Sequence, residues 1–242
     1  MIWSPKDVED FFKAHWTVRK YKTVAMPSDH LEAILTAAQR APTDATAQMY
    51  SIIRLTDPVQ RERIAKLSGN AHIASASEAF VLCGDVHRLR KVLQSGGFEM
   101  GNFPRIAVHF AIGDAVMAGQ NMLVAAEMLG YRGCWIGGVM NALPEISEAL
   151  QLPTEVFPFA ALTLGVPDEP AVHRPRLPRS QVIFENTYQE VPMNDLKSGV
   201  NGMAAITARG DWAGTLARYF AAGGSMEDRE KSLRVFLEKV KL

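Results

Sequence analysis

The sequence predicts an α+β protein in which helices dominate and pack in three layers around a small sheet. Apolar residues recur every three or four positions over most of the chain, which is typical of amphipathic helices. Runs rich in apolar and β-branched residues are few and short, and helical segments separate them. With 242 residues and 48% apolar composition, the chain is long enough to bury a substantial core on both faces of such a sheet.

Helices are predicted where apolar periodicity follows a residue that commonly starts a helix. Ser4 with Pro5 and Ser225 with Asp228 are typical helix starts, whereas Gly69 and Gly130 are typical stops. The predicted helices run from Pro5 to about Ala14, from a cap at Ser28 to near Pro42, from a cap at Asp57 to about Leu67, over about 112–129, from Pro144 to Leu150, and from Ser225 towards Val240.

Four runs of apolar or β-branched residues predict strands. They cover Tyr50–Thr56, residues 79–84, residues 134–138 and Phe159–Gly165. The stretch 166–178 contains four prolines, and we therefore predict an extended crossover without regular structure.

Composition narrows the range of partners. Lysine and arginine number 26 and so do aspartate and glutamate, which gives a formal net charge of zero. A duplex-DNA or membrane-surface binder needs excess positive charge, so we expect neither nucleic acid nor a membrane as partner. The most apolar stretch, 106–130, is interrupted by residues such as Asp114 and Glu127, which favours a buried helix. Cys83 and Cys134 lie in apolar runs, typical of buried reduced thiols in a cytoplasmic protein.

Familiar catalytic and metal-binding motifs are missing from the sequence. It contains no GxGxxG, GxxxxGK[ST], HExxH or GxSxG pattern. The six histidines show no metal-like spacing, and His87, two residues after Asp85, is more typical of a turn at a strand end. We therefore predict no metal site.

Four scattered segments carry cations, hydroxyls or paired glycines. They are HWTVRKY (15–21), RAPTDATAQMYS (40–51), WIGGVMN (135–141) and RPRLP (174–178). Each segment alone is more typical of a solvated surface, a turn or a strand end. Together they indicate a flavin mononucleotide site, because a phosphate needs cations and hydroxyls, and a flat ring needs glycine backbone close by.

The segments and their order resemble the FMN-dependent nitroreductase superfamily, and within it the oxygen-insensitive nitroreductase and flavin reductase branch. The resemblance runs from about Val8 to Tyr188. It includes HWTVRKY, AAQRAPTDATAQ, SGNAHI, the helix and turn GDAVMAGQNMLVAAEMLGYRGCWIGG, and then LQLP, LTLGVP, RPRLP and ENTYQ.

The resemblance implies a set of FMN-binding residues. Arg19, Arg176 and Arg174 would hold the phosphate, and the strand end at 136–138 would lie against the ring. The full implied set is His15, Trp16, Thr17, Arg19, Thr43, Asp44, Gln48, Asn70, Trp135, Ile136, Gly137, Gly138, Arg174 and Arg176.

The resemblance also implies a fold and a reaction. The fold is a three-layer α-β-α sandwich with a mainly antiparallel sheet, formed as one domain over residues 1–242. Residues from about 166 to 242 would form an extended arm and helices that cross to the partner of a homodimer. The reaction is ping-pong: NADPH or NADH passes hydride to N5 of FMN, and a nitroaromatic, quinone or flavin acceptor then takes its place. No side chain need act as a catalytic residue.

Departures from the family pattern refine these expectations. Trp16 and Met140 stand where relatives carry arginines, and Asp44 adds a negative charge to a turn usually rich in hydroxyls. After Tyr188 the stretch ARGDWAGTLARYF has only Arg209 and Arg218 as cations, so we expect NADH to serve about as well as NADPH. Two alternatives remain open: a flavin reductase that supplies reduced flavin to a partner, and a flavin carrier or sensor without turnover.

Overall fold

A computed structural model describes residues 2–204 and 210–239, so Arg209 lies outside the described residues. The elements in chain order are α1 (Pro5–Lys13), α2 (Ser28–Gln39), β1 (Tyr50–Arg54), α3 (Pro58–Ser68), α4 (His72–Ser75), β2 (Glu78–Asp85), α5 (Val86–Ser95), α6 (Pro104–Met128), β3 (Arg132–Ile136), α7 (Leu143–Ala149), β4 (Val156–Gly165), α8 (Met193–Gly202), α9 (Trp212–Phe220) and α10 (Ser225–Lys239). Short 3-10 turns occupy Asp44–Thr46, Gly137–Asn141 and Arg179–Gln181.

The backbone divides into two compact units. We call Thr17–Pro170 with the chain from Lys231 onward the sheet unit, and the chain up to Trp16 with Ala171–Glu230 the helical unit. The prediction of one domain over 1–242 stays a prediction.

The sheet unit is built around four antiparallel strands in the order β1-β2-β4-β3 within the described residues. Every residue of β2 is buried, so this strand is covered on both faces. Phe80 and Leu82 point into one apolar cluster with residues of α2 and α6. Val81 and Cys83 point into a second cluster with residues of α3 and α7. Helices on each face of the sheet give the three-layer α-β-α arrangement that the sequence predicts.

The helical unit contains α1, α8, α9 and the beginning of α10. Helix α1 starts with a reciprocal cap, in which the Ser4 hydroxyl accepts from the Asp7 N–H and the Asp7 carboxylate accepts from the Ser4 N–H. Gln181 donates to the Asp195 carbonyl over 2.6 Å and thereby ties the preceding 3-10 turn to α8. Residues 170–178 form neither helix nor strand, as their prolines predict.

Several predicted boundaries shift in the structure. Ser28 is the first residue of α2 and not its cap, because Pro27 takes the cap position. Helix α6 starts at Pro104 and not near 112. Its first turns are apolar on more than one side, since Ala107 and Ala111 are buried while Ile106 is exposed, so they show no one-sided helical period. Strand β3 ends at Ile136, and the glycines 137 and 138 begin a 3-10 turn instead of extending the strand.

Four helices were not predicted. Helix α4 is one turn long and α8 contains two glycines, whereas α5 and α9 do carry apolar residues at helical spacing that the prediction overlooked. Strands β2 and β4 begin one and three residues earlier than expected, and β1 ends two residues earlier, at Arg54. No helix in the described part of the chain is both long enough and apolar enough to cross a membrane.

Candidate functional site

The turn that follows β3, Gly137–Asn141, packs tightly against the segment between α3 and α4; we call it the glycine turn. A Cβ on Gly138 would meet the Asn70 amide and the Ser68 carbonyl oxygen, whereas one on Gly137 would meet nothing within 4 Å. The Asn70 amide itself donates to the Ser68 carbonyl over 2.6 Å. The structure therefore brings together Asn70 and the predicted strand end at 136–138.

Trp135 and Ile136 point to opposite faces of β3, as neighbours on a strand must. The indole of Trp135 occupies the space that a Cβ on Gly119 of α6 would need, so the ring lies against that helix. Ile136 is buried in the cluster formed with α3 and α7. Only the backbone of Ile136 is therefore available to a ligand.

The predicted residues Thr43, Asp44 and Gln48 belong to one loop, residues 43–49, which we call the polar loop. Ala45, Thr46 and Gln48 have φ values of 45°, 58° and 51°. Left-handed backbone costs a residue with a side chain roughly 1–2 kcal/mol, so other contacts must hold this loop.

Two side chains outside the loop hold it. The buried carboxylate of Asp114 on α6 accepts from the N–H groups of Asp44 and Met49 over 2.9 and 2.8 Å. Arg88 donates to the Gln48 carbonyl over 2.7 Å and also to the Tyr50 carbonyl. Gln48 and Arg88 also line a cavity of about 480 Å³ with Leu35, Ala38, Gln39, Tyr50, Ser51 and Ile52.

The segment that carries Thr17 and Arg19 runs beside the sheet. Val18 donates its N–H to the Gly133 carbonyl over 3.1 Å, and Lys22 donates to Val166 over 2.9 Å. The Glu169 carboxylate accepts from the Arg19 N–H over 2.5 Å and also from the Lys20 N–H. The bond from Arg19 is the main cause that lowers the pKa of Glu169. The backbone is thus fixed while the Arg19 side chain stays exposed.

His72, two residues after Asn70, is buried beside this segment. Within the described part of the chain its Nε2 has no hydrogen-bond partner. Burial lowers the pKa of His72, the Arg19 cation lowers it further, and Glu169 opposes both. His72 is therefore neutral at pH 7 and carries a buried polar atom that a ligand or water could satisfy.

In the helical unit, α1 and the proline-rich segment line a cavity of about 440 Å³, which we call the cationic pocket. Its lining is Val8, Glu9, Phe12, Lys13, His15, His173, Arg174, Arg176 and Arg179. The pocket thus has four permanent cations against one carboxylate. Arg176 donates to the carbonyls of Arg174 and Pro175 over 3.1 and 3.2 Å, so its guanidinium is folded over its own backbone.

The structure gathers the predicted residues into separate groups. The sheet unit brings Asn70 to residues 136–138, and it places Thr43, Asp44 and Gln48 in one loop. The helical unit brings His15, Arg174 and Arg176 to one pocket. Trp16, the last residue before the sheet unit, is buried and does not line that pocket. That Arg19 joins Arg174 and Arg176 on one phosphate stays a prediction.

Sequence reasoning missed three residues that shape these groups. Asp114 was read only as a polar interruption of an apolar helix, although a carboxylate inside such a run needs a partner. Arg88 lies in α5, a helix outside the predicted set. His72 lies in the segment SGNAHI, in which only Asn70 was predicted to bind FMN. The strand-end turn predicted for Asp85 and His87 is wrong: β2 passes directly into α5, the Asp85 carboxylate accepts from the Arg88 N–H and caps that helix, and His87 is its second residue.

These groups fit an FMN and offer no metal centre. Arginines suited to a phosphate line the cationic pocket, and the backbone of Gly137 is open, since a Cβ there would meet nothing within 4 Å. Over residues 2–204 and 210–239, no three histidine, cysteine, aspartate or glutamate side chains are grouped to hold a metal ion.

Comparison with known proteins agrees with this fit. The nitroreductase family matches residues 12–166. A Cr(VI) reductase of Pseudomonas sp. strain G-1 is 35% identical over 195 residues, covering 80% of each chain. The oxygen-insensitive NADPH nitroreductase of Salmonella typhimurium strain LT2 is 33% identical over 217 residues, covering 89% of this chain and 83% of its own.

A solved structure extends the likeness to nearly the whole chain. The NADPH:FMN oxidoreductase of Vibrio harveyi, in complex with NAD+, superimposes with a TM-score of 0.85 at 30% identity and covers 96% of both chains. The match confirms the predicted three-layer fold. With well over half of its residues matched by the family and with relatives above 30% identity over most of its length, the chain belongs to the nitroreductase family.

Proposed function

We propose that the protein is an FMN-dependent NAD(P)H oxidoreductase that reduces small oxidised acceptors such as nitroaromatics, quinones or flavins. One observation carries the proposal: a pocket with four permanent cations and one carboxylate suits a phosphate, in a chain that superimposes on an NADPH:FMN oxidoreductase over 96% of its length. The names of relatives support the reaction, since they include an NADPH nitroreductase, a Cr(VI) reductase and an NADPH:FMN oxidoreductase.

The protein's own contribution is binding and positioning. When bound, FMN supplies the hydride chemistry, accepting hydride from the nicotinamide and passing it to the acceptor. Asn70 and the glycine turn present backbone and amide groups at fixed positions, and the polar loop presents Thr43, Asp44 and Gln48. The arginines of the cationic pocket suit a phosphate dianion. None of these residues has to act as a nucleophile or metal ligand.

Anaerobic mixing tests the proposed function. The purified protein should take up FMN, and NADH or NADPH should then bleach its visible absorbance within a turnover. A nitroaromatic, a quinone or free flavin added next should restore the colour. A protein that binds FMN but is not bleached would be a carrier or sensor, and one that does not bind FMN would overturn the proposal.

A flavin reductase that releases reduced flavin is the second candidate. The name of the similar Vibrio harveyi protein, NADPH:FMN oxidoreductase, favours this candidate, because that name gives FMN as the acceptor. Steady-state rates with FMN against a nitroaromatic separate the two: free flavin should give the higher kcat/KM if flavin is the natural acceptor.

We propose that NADH and NADPH both serve as donors. In the described part of the stretch 208–220, the one cation is Arg218, and it is exposed on α9. A 2′-phosphate would therefore gain few charge-assisted bonds there. We expect kcat/KM for the two nucleotides to differ by less than about 100-fold, or about 2.7 kcal/mol. A larger preference for NADPH would contradict this expectation.

A cytoplasmic homodimer completes the proposal. Large apolar side chains such as Phe12, Phe98 and Phe220 are more than half exposed in the single chain, which favours burial against a second copy. The extended residues 170–178 suit an arm that reaches a partner subunit. Both cysteines are buried in apolar surroundings, as is common in a reducing compartment. Light scattering coupled to gel filtration should give about twice the mass of one chain.

A further inference from the structure

The polar loop is held in a conformation that its own sequence disfavours. Ala45, Thr46 and Gln48 all have positive φ, and Thr46 is β-branched, for which this region is especially unfavourable. No glycine lies in the loop to relieve the cost. Contacts from outside the loop must therefore determine its shape.

Asp114 supplies the main restraint, since its two oxygens bind the two ends of the same segment. Oδ1 accepts from the Asp44 N–H over 2.9 Å and Oδ2 accepts from the Met49 N–H over 2.8 Å. The residue has no exposed surface, so both bonds form in a medium where charge-assisted hydrogen bonds are strong. One carboxylate thus closes a loop of six residues.

Arg88 holds carbonyl groups of the same turn, whereas Asp114 holds its N–H groups. Its guanidinium donates to the Gln48 carbonyl and the Tyr50 carbonyl, and to the Ser51 hydroxyl over 3.1 Å. Asp85 lies 3.4 Å from the guanidinium and accepts from Ser51. Amide groups of the loop are therefore held from α6 and carbonyl groups from α5.

We propose that Asp114 is a positioning residue that holds the polar loop in its FMN-binding conformation before the cofactor arrives, with Arg88 as a weaker second restraint. This inference rests on the proposed function. A loop held in advance loses little further freedom on binding, whereas a loop that visits the competent shape only part of the time binds more weakly in proportion.

The substitution Asp114→Asn is the sharpest test, because it keeps the shape of the side chain and removes one of its two acceptor oxygens. An amide has one oxygen, so one loop N–H would face an NH₂ group instead of an acceptor. Arg88→Met removes the hydrogen bonds to the Gln48 and Tyr50 carbonyls. Because the Arg88 side chain is half-exposed, this variant provides the test if Asp114→Asn fails to fold. Asn121→Ala is the matched control on the same helix, since the Asn121 amide donates to the Ala37 carbonyl of α2 and not to a loop residue.

Three measurements are made on the full chain: FMN dissociation constant of the apoprotein, kcat at saturating FMN, and amide hydrogen exchange of peptides covering 43–50 and 78–85. For Asp114→Asn we expect at least tenfold weaker FMN binding and at least tenfold faster exchange over 43–50. Exchange over 78–85 and kcat should stay within threefold of the parent. Arg88→Met should move the same two quantities by about threefold, and Asn121→Ala neither.

Loop exchange that rises without a loss of FMN affinity would overturn the positioning role, and unchanged exchange in both variants would overturn the restraint itself. A fall in kcat at saturating FMN together with faster exchange over 78–85 would show a general structural defect and also count against the inference. Failure of the parent protein to bind FMN would instead remove the proposed function, and this result is visible before any variant is made.

Discussion

The two units hold their candidate binding groups in different ways. In the sheet unit, the glycine turn packs against Asn70 and Ser68, and the polar loop donates two hydrogen bonds to the buried carboxylate of Asp114. In the helical unit, the cationic pocket is lined by exposed arginines, and Arg176 donates to its own neighbouring carbonyls. A flat ring needs exact backbone placement, whereas a phosphate can be met by mobile cations from several directions. The difference suggests that substitutions in the sheet unit act through shape and those in the helical unit act through charge.

The glycine turn should give the largest effect. Gly138→Val forces a side chain into the Asn70 amide and the Ser68 carbonyl, so we expect more than about 100-fold weaker FMN binding, or about 2.7 kcal/mol. Overpacking should also lower the free energy of unfolding by about 1–3 kcal/mol. Gly202→Ala is the control, because its Cβ would meet nothing within 4 Å and Gly202 lies on α8, outside the predicted FMN-binding set. Equal FMN affinity in parent and Gly138→Val would mean that the turn is not part of the site.

The cationic pocket should give intermediate effects that depend on salt. Arg174→Ala and Arg176→Ala should each weaken FMN binding about tenfold, or about 1.4 kcal/mol, because a phosphate loses one charged donor. Arg19→Ala should behave in the same way if its guanidinium joins the phosphate. The loss should shrink at high ionic strength, since exposed charges are screened.

Lys6→Ala provides the control for general surface charge, because Lys6 lies on α1, pairs with Asp10 and does not line the pocket. If Arg176→Ala changes FMN binding no more than Lys6→Ala does, then Arg176 is only a solvated residue of the proline-rich segment.

His72 should give the smallest effect, visible in the dependence of stability on pH. Its pKa is lowered in the folded state, so the unfolded chain binds the proton more readily and stability falls as pH drops through the unfolded pKa near 6.5. One such group contributes a slope of at most about 1.4 kcal/mol per pH unit. Denaturant unfolding at pH 7.5 and 5.5 should show a smaller decrease for His72→Gln than for the parent. Identical decreases would contradict a depressed pKa.

Much of the sheet unit could be predicted from the sequence because its signals are local. Asp57 accepts from the N–H groups of Val59 and Gln60 at the start of α3, and the apolar run of β2 lies between helical segments. Helices α4 and α8 could not be predicted in this way, because α4 is one turn long and α8 contains two glycines and buries only Gly199. Their positions depend on contacts made after the chain has folded.

The candidate site shows the same division. Gly138 and Asn70 could be picked out because each belongs to a motif that resembles a family pattern. The role of Asp114 could not, because its two partners lie 70 and 65 residues away in sequence. Long-range hydrogen bonds of this kind leave no periodicity to detect.

The contact between Arg88 and the Tyr50 carbonyl has a consequence for self-association. Strand β1 is an edge of the sheet, pairing with β2 alone among the described strands. The Met49 carbonyl accepts from Asp85, so the next carbonyl, that of Tyr50, faces away from β2. A free carbonyl at the edge of a sheet could accept a hydrogen bond from a strand of another molecule. The Arg88 guanidinium already donates to the Tyr50 carbonyl, so this acceptor is occupied. Arg88 thus holds the polar loop and at the same time occupies one hydrogen-bond acceptor on the exposed edge of the sheet.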